Sequence, residues 1–345
     1  MKKVLITGAD GFLGSHLTDF LIKKYFHVYA LKRPKGRLKN LTHYTRGKSI
    51  FTEEEKGVVF KRKISLPSTE ERLTIIECDI KDKELVDTIV TEIQPRYIYH
   101  LAAQPYVIPS WKDPINTIEI NVIGTLNLFE PIKREKFKTR VIVACSSAEY
   151  GTTTNLNRPL REEDNLKAIH PYGISKIATE LLARQYYLNF GIETINLRFF
   201  NQTGPRKEND ACSDFVSQVA QMELGLKEPI IEVGNLEPYR DIMGIKDSIQ
   251  AIWLATKKGK PGETYNVCSN RKSKIRDILN IALSFSSKEI KVKENTRKKL
   301  RKTDEDIILG DNSKIKTQLG FKLTQSIEEI LKEMYEYWID FYKNG

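Results

Sequence analysis

Val4-Leu-Ile-Thr7-Gly8-Ala-Asp-Gly11-Phe-Leu-Gly14 is the stretch that decides the fold. It opens on a short apolar run, glycines follow at once, and His16-Leu-Thr-Asp-Phe-Leu-Ile22 then carries the apolar spacing of a helix. Glycines at this spacing between a strand and a helix are the setting in which a main chain binds a dinucleotide pyrophosphate. Gly8 permits the tight turn, Gly11 lets the backbone approach the phosphates, and Gly14 lets the helix pack closely on the strand. The free amides and positive dipole end of the helix complete an anion site. The run therefore predicts a nicotinamide dinucleotide held by Gly8, Gly11, Phe12, Leu13 and Gly14.

Outward from this run the same alternation repeats. Val28-Tyr-Ala-Leu31, Leu73-Thr-Ile-Ile76, Tyr97-Ile-Tyr-His-Leu101, Arg140-Val-Ile-Val-Ala144 and Thr194-Ile-Asn-Leu-Arg198 read as strands, with a helix over 122–132. Strands separated by helices imply βαβ units, hence an α/β fold of Rossmann type with a doubly wound parallel sheet. After Asn201 the rhythm changes, and helices over 214–226, 275–284 and 327–342 alternate with irregular segments. The expected organisation is a dinucleotide-binding domain over 1–201, with 239–256 returning to it, and a smaller C-terminal α/β substrate lobe over 202–345. Residues 38–70 form a charged connection longer than a plain α/β unit needs, which reads as a lid, a partner surface or a flexible loop.

Composition narrows the class. The 345 residues are 40% hydrophobic and 29% charged, as in a soluble globular protein. No apolar run approaches the ~20 residues that span a bilayer, so no membrane partner is expected. The first apolar stretch is too short for a signal peptide, which makes the cytoplasm the expected location. A net charge of +11 favours anionic partners. Much of the surplus sits in 32–63 and 291–302 with no nucleic-acid motif beside it, so nucleotides are expected and nucleic acid is not. Cys78, Cys145, Cys212 and Cys268 lie far apart and read as small buried thiols of a reducing compartment. The five histidines show no metal-ligand spacing, so no metal is expected.

Two local features bear on chemistry. The second strand runs into Leu31-Lys32-Arg33-Pro-Lys35-Gly-Arg37, without the acid that commonly binds the ribose 2′-hydroxyl of NAD. Lys32 and Arg33 suit a 2′-phosphate instead, which puts NADP ahead of NAD. Tyr172-Gly-Ile-Ser-Lys176 places a phenol and an ammonium four residues apart on one helical face. There Lys176 can lower the phenol pKa and hold the nicotinamide ribose while Tyr172 moves a proton.

Taken with His100-Leu-Ala-Ala-Gln104, Asn121-Val-Ile-Gly-Thr125 and Ser146-Ser-Ala-Glu-Tyr-Gly151, these motifs resemble the extended short-chain dehydrogenase/reductases, in the branch that acts on nucleotide sugars. The resemblance covers nearly the whole chain. It implies Asp79 and Ile80 at the adenine, and Leu101, Ala102 and Ala103 along the cofactor cleft. It also implies Ser146 as a hydrogen-bond donor to the sugar oxygen, acting with Tyr172 and Lys176. Substrate contacts are implied for Gln104, Asn201, Arg240 and Arg301, with a GDP-linked nucleotide-diphosphate sugar as the partner and a homodimer as the assembly.

The segments Arg198-Phe-Phe-Asn201 and Tyr239-Arg240-Asp241 resemble most the GDP-4-keto-6-deoxy-mannose reductases, and next the GDP-mannose 4,6-dehydratases. A dehydratase eliminates water across C5 and C6 and needs a further carboxyl as acid/base. That family carries it two residues before Tyr-Gly, where this chain has Ala148, with Glu149 one residue on. On a strand such an offset points a side chain to the other face. The resemblance puts reduction of a 4-keto sugar first, dehydration with Glu149 as acid/base second, and 4-epimerisation third. A non-catalytic NADP-binding protein stands as the alternative from a different class.

Overall fold

The computed structural model describes residues 1–34, 36, 38–45, 51–53, 63–65, 72–151, 158–295 and 307–344. The chain divides into two compact units. One comprises Met1–Gly151, Asn165–Arg198 and Ala251–Tyr265; the other comprises Thr152–Asp164, Phe199–Gln250 and Asn266–Gly345.

The first unit is built on strands β1 (Lys3–Thr7), β2 (His27–Lys32), β3 (Phe51–Glu53), β4 (Lys63–Ser65), β5 (Leu73–Glu77), β6 (Tyr97–His100), β7 (Arg140–Ser146) and β8 (Glu193–Phe199). Its helices are α1 (Phe12–Lys23), α2 (Thr42–Thr45), α3 (Lys83–Ile93), α4 (Val107–Lys112), α5 (Pro114–Ile118), α6 (Gly124–Glu135) and α7 (Pro171–Phe190). The strand Thr264–Val267 starts the sheet, followed by β8, β7, β6, β1, β2, β5, β4 and β3. The seven strands from Thr264–Val267 to β5 are parallel, the doubly wound α/β arrangement expected from the sequence.

Local sequence explains these elements. Val4, Leu5 and Ile6 are wholly buried, as in a parallel strand covered on both faces. α3 buries Val86, Ile89, Val90 and Ile93, one face of a helix, and its N-cap Asp82 accepts the Leu85 N–H at 3.1 Å. That face joins Leu5, Ile98, Val141, Leu128, Phe129 and Ile132 in one core. Each such side chain contributes roughly 1.5–3 kcal/mol by leaving water.

The sequence reading missed β3 and β4, which fall in the 38–70 connection. β4 pairs antiparallel with β5, Ile64 opposite Ile75, and β3 pairs antiparallel with β4. The sheet therefore has nine strands with an antiparallel edge. Two three-residue strands in a charged stretch carry no apolar run, and only their pairing partner defines them. Residues 46–50, 54–62 and 66–70 of that region lie outside those described.

In the second unit the helices Ala211–Glu223, Ile275–Leu283 and Ile327–Asn344 pack Val216, Val219, Ile278, Leu331, Met334 and Trp338 against Ile231 and Val233. The strand Tyr239–Gly244 pairs with Lys272–Lys274, Ile307–Ile308 and Asn201–Thr203. This strand lies in the second unit, and the segment grouped with the first is Ala251–Tyr265. Among the described residues no helix is long and apolar enough to cross a membrane. All four cysteines are buried free thiols.

Candidate active site

The glycine loop joins β1 to α1. Gly8 adopts φ +68°, and a Cβ there would stand 2.9 Å from the Ala102 nitrogen. A Cβ on Gly14 would stand 2.2 Å from the Gly8 carbonyl oxygen. Neither position admits a side chain. The N-cap of α1 is Gly11, and no side chain caps the helix, so its first-turn amides are open to an anion. Phe12 and Leu13 begin the helix, both half-buried. A cradle that any Cβ would fill, facing uncapped amides, fits a dinucleotide pyrophosphate.

Behind the loop a buried network ties the loop to α7. Thr7 Oγ1 accepts the N–H groups of Leu101 and Ala102 at 3.1 and 3.0 Å, so its own hydrogen goes to His100 Nδ1 at 2.9 Å. That fixes the proton of His100 on Nε2, which donates to Thr125 Oγ1 at 2.9 Å. Thr125 in turn donates to the Asn121 carbonyl at 2.6 Å, which also accepts from Thr179 on α7. Burial, helped by the Lys176 charge, holds the His100 pKa down at about 3, so the ring is neutral. Asn121 sits in a π-helical turn, Glu119–Ile123, and donates from Nδ2 to Ser175 Oγ at 2.8 Å. Its role was not read from the sequence, because its partners are 17 and 54 residues away.

Of the expected cofactor residues, Lys32 is corrected. It is 2% exposed, and its ammonium meets Glu77 at 2.7 Å, with the Arg33 and Gly36 carbonyls at 3.3 and 3.1 Å. A buried ammonium must be paired, and the β2/β5 register sets Glu77 directly opposite. Arg33 is exposed, and burial raises the Asp10 carboxyl against the opposing pull of the Arg33 charge. Asp79 Oδ1 accepts the Lys81 N–H, while Ile80 packs where a Cβ on Gly124 would lie 2.7 Å away. Leu101, Ala102 and Ala103 are half-buried beyond the end of β6.

Ser146, Tyr172 and Lys176 come together where β7 ends and α7 begins. His170 caps α7, its Nδ1 accepting the Gly173 N–H at 2.9 Å, with Pro171 in the first turn. The cap fixes Tyr172 in that turn, and its phenol hydrogen-bonds the Ser146 side chain. Lys176 Nζ donates to the Ala144 carbonyl at 2.7 Å. The Tyr172 pKa is pushed up to about 12 by burial, opposed by the Ser146 hydrogen bond and reinforced by Glu149 and Cys145. The expected lowering by Lys176 is not found, since its ammonium faces the Ala144 carbonyl and burial lowers its own pKa.

Glu149 is placed away from a role on substrate. It is 0% exposed, and its Oε1 accepts the Ser146 N–H at 2.8 Å while Ser146 Oγ accepts the Ala148 N–H at 3.2 Å. This reciprocal capping box was legible as Ser-x-x-Glu. Glu149 Oε2 lies 3.4 Å from Arg198 Nε, and Arg198 binds Glu180 through two nitrogens at 2.8 and 2.6 Å.

Gln104 is engaged within its own loop, accepting from the Tyr106 N–H and donating to the Tyr106 carbonyl and Thr117. In the second unit, Asn201 Nδ2 donates to the Asp241 carbonyl at 3.0 Å, and half-buried Arg240 donates to the Tyr239 carbonyl at 2.9 Å. Arg301 lies outside the described residues.

Comparison with known proteins gives the family. The chain matches the GDP-mannose 4,6 dehydratase family over residues 5–334. It is 29% identical to the GDP-6-deoxy-D-mannose reductase of Pseudomonas aeruginosa over 71% of this chain and 80% of that protein. With the GDP-mannose 4,6-dehydratase of Yersinia enterocolitica it shares 26% identity over 97% of this chain and 93% of the relative. The structure of RMD from Pseudomonas aeruginosa complexed with NADPH superposes with a TM-score of 0.79 at 24% identity, covering 99% of this chain and 100% of that one. With its glycine cradle and its Ser146, Tyr172 and Lys176 in place, the chain belongs to the extended short-chain dehydrogenase/reductases of the GDP-mannose 4,6 dehydratase family, enzymes that use a nicotinamide cofactor on nucleotide sugars.

Proposed function

We propose that this protein is an NADP-dependent oxidoreductase that reduces the 4-keto group of a GDP-4-keto-6-deoxy-hexose. The observation that carries reduction over dehydration is the enclosure of the Glu149 carboxyl, next in sequence to an alanine. Ala148 occupies the position where the resemblance to the dehydratases puts the eliminating carboxyl, and the neighbouring Glu149 carboxyl is enclosed with Arg198 and Glu180. The similarity to a reductase over 71% of the chain supports the same reading.

When bound, the nicotinamide supplies the hydride. The protein's part is to hold the sugar carbonyl and deliver a proton. Tyr172, protonated at neutral pH, donates to the sugar O4, and the Ser146 hydroxyl donates a hydrogen bond to the same oxygen as charge develops on it. Lys176 holds the nicotinamide ribose. Arg33, exposed at the end of β2, receives the 2′-phosphate now that Lys32 is committed to Glu77. We assign the cofactor to the first unit and the diphosphate sugar, met by Arg240 and Asn201, to the second, with the cytoplasm as the compartment.

NADPH absorbance should fall in proportion to added GDP-4-keto-6-deoxy-mannose, and the product sugar would fix the stereochemistry. NADH is the control. No loss despite tight NADPH binding would sink the reduction. We also propose a homodimer, because Ile115 and Ile123 beside Ile174, Leu181 and Leu188 on α7 leave exposed apolar positions spaced for a partner helix. Sedimentation should return twice the chain mass; the single-chain mass would refute it.

A further inference from the structure

We propose that Glu149 and Glu180 hold one proton between them, and that Glu149 in this uncharged state is a positioning residue. It fixes the Ser146 backbone and keeps the interior behind Ser146, Tyr172 and Lys176 electrically neutral. The inference rests on the reading above only for what Ser146 and Tyr172 do.

The geometry leaves few alternatives. One oxygen of Glu149, one of Glu180 and the Cys145 sulfur lie within 4.8 Å of one another, all buried. Among the described residues, the only guanidinium facing them is that of Arg198 on β8. Its Nε and Nη2 bind Glu180, and its Nη1 donates to Tyr150 Oη at 2.9 Å. Glu149 Oε1 is taken by the Ser146 N–H, while Glu149 Oε2 accepts no hydrogen bond, because the Arg198 Nε–H 3.4 Å away is directed to Glu180. The Lys176 ammonium is turned to the Ala144 carbonyl, so two charged carboxylates would share the single Arg198 guanidinium, which is strongly unfavourable away from water. One proton on Glu149 Oε2, donated to Glu180, removes one of the two charges and supplies the missing hydrogen bond. Arg198 already fills the cationic place, so the cluster needs no metal ion.

The surroundings agree. Burial first, then the Glu180 charge, raises the Glu149 pKa well above the usual carboxyl value. Burial also opposes ionisation of Glu180, but the Arg198 hydrogen bonds and charge bring it below that value. The titratable groups facing Glu149 are Cys145 on β7, Tyr172, Lys176 and Glu180 on α7, and Arg198 on β8. Charge on Glu149 contributes to the rise at Tyr172 and opposes the lowering at Lys176, so a neutral Glu149 loosens the phenol's hold on the proton it must give up.

The test compares the full chain with Glu149→Gln, whose amide keeps an acceptor for Ser146 and a donor for Glu180. A carboxyl with a raised folded pKa contributes stability that is fully present below its unfolded value and is lost as the pH rises toward the folded pKa. The wild-type folding constant should therefore fall, relative to Glu149→Gln, by about tenfold per pH unit from roughly pH 5 upward. Parallel stability curves would overturn the shared proton. Should Glu149→Gln fail to fold, the infrared band of a protonated carboxyl in the wild type at pH 8 decides the question, and its absence overturns the proposal.

The effect on Tyr172 is read from kcat against pH. The wild type should show an alkaline step that Glu149→Gln lacks, and identical profiles would overturn that influence. Absence of turnover in both proteins would count against the functional reading, while the stability curves still decide the proton.

Discussion

Tyr172→Phe should lower kcat by roughly 10²- to 10⁴-fold while leaving the affinity for NADPH within a few-fold of wild type. The ring stays packed in the first turn of α7, stacked on His170 with ring centroids 6.0 Å apart. Only the hydroxyl that hydrogen-bonds Ser146 is removed. With no proton donor, the oxygen left by hydride addition must take its proton from water, and the lost factor is that of positioned acid catalysis. Single-turnover oxidation of NADPH, with cofactor affinity measured by fluorescence, separates chemistry from binding. A Tyr172→Phe protein with unchanged kcat would remove Tyr172 from the mechanism. One that no longer binds NADPH would show the hydroxyl to be part of the cofactor site.

The second large effect is on stability. Arg198→Met should destabilise the protein by about 3–5 kcal/mol at neutral pH, because it strands a buried carboxylate without its partner. Arg198 is 4% exposed and binds Glu180, itself nearly inaccessible, through two nitrogens. Methionine is similar in volume to arginine but shorter and uncharged, so the loss is chiefly electrostatic. The sign with pH follows. As pH falls, Glu180 takes up a proton and the penalty shrinks, so urea midpoints of variant and wild type should converge toward acid. Arg134 is the control. It meets Asp87 at 2.5 Å, as short as any contact to Arg198, but is 53% exposed. Water screens that pair, and Arg134→Met should unfold with the wild type. Equal losses at the two sites would contradict the role given to burial.

The contrast between these arginines marks where sequence reading stops. Both are basic residues near acids, and their identities do not say which is enclosed. The same holds for Lys32. At the end of the second strand it looked like a ligand for a 2′-phosphate, yet Glu77, 45 residues on, claims its charge across the sheet. Glu149 is the clearest case. Adjacent to Ala148, it stood as a candidate acid/base, but the short turn after β7 directs its carboxyl to the Ser146 N–H and to Arg198. Its local signal, Ser-x-x-Glu, was present in the sequence. What lies around it depends on residues 31 and 49 positions away.

The sequence by itself determined what short-range periodicity and backbone sterics control. The apolar runs specified the parallel strands, the glycines of the first loop specified a backbone no side chain can enter, and the i, i+4 spacing put Tyr172 and Lys176 on one helical face. Only the tertiary structure decided which charges are buried and what neutralises them, how the 38–70 connection adds β3 and β4 to the sheet, and which histidine nitrogen carries the proton. These depend on partners brought together from distant parts of the chain. Their energies come from burial and register, which local sequence does not encode.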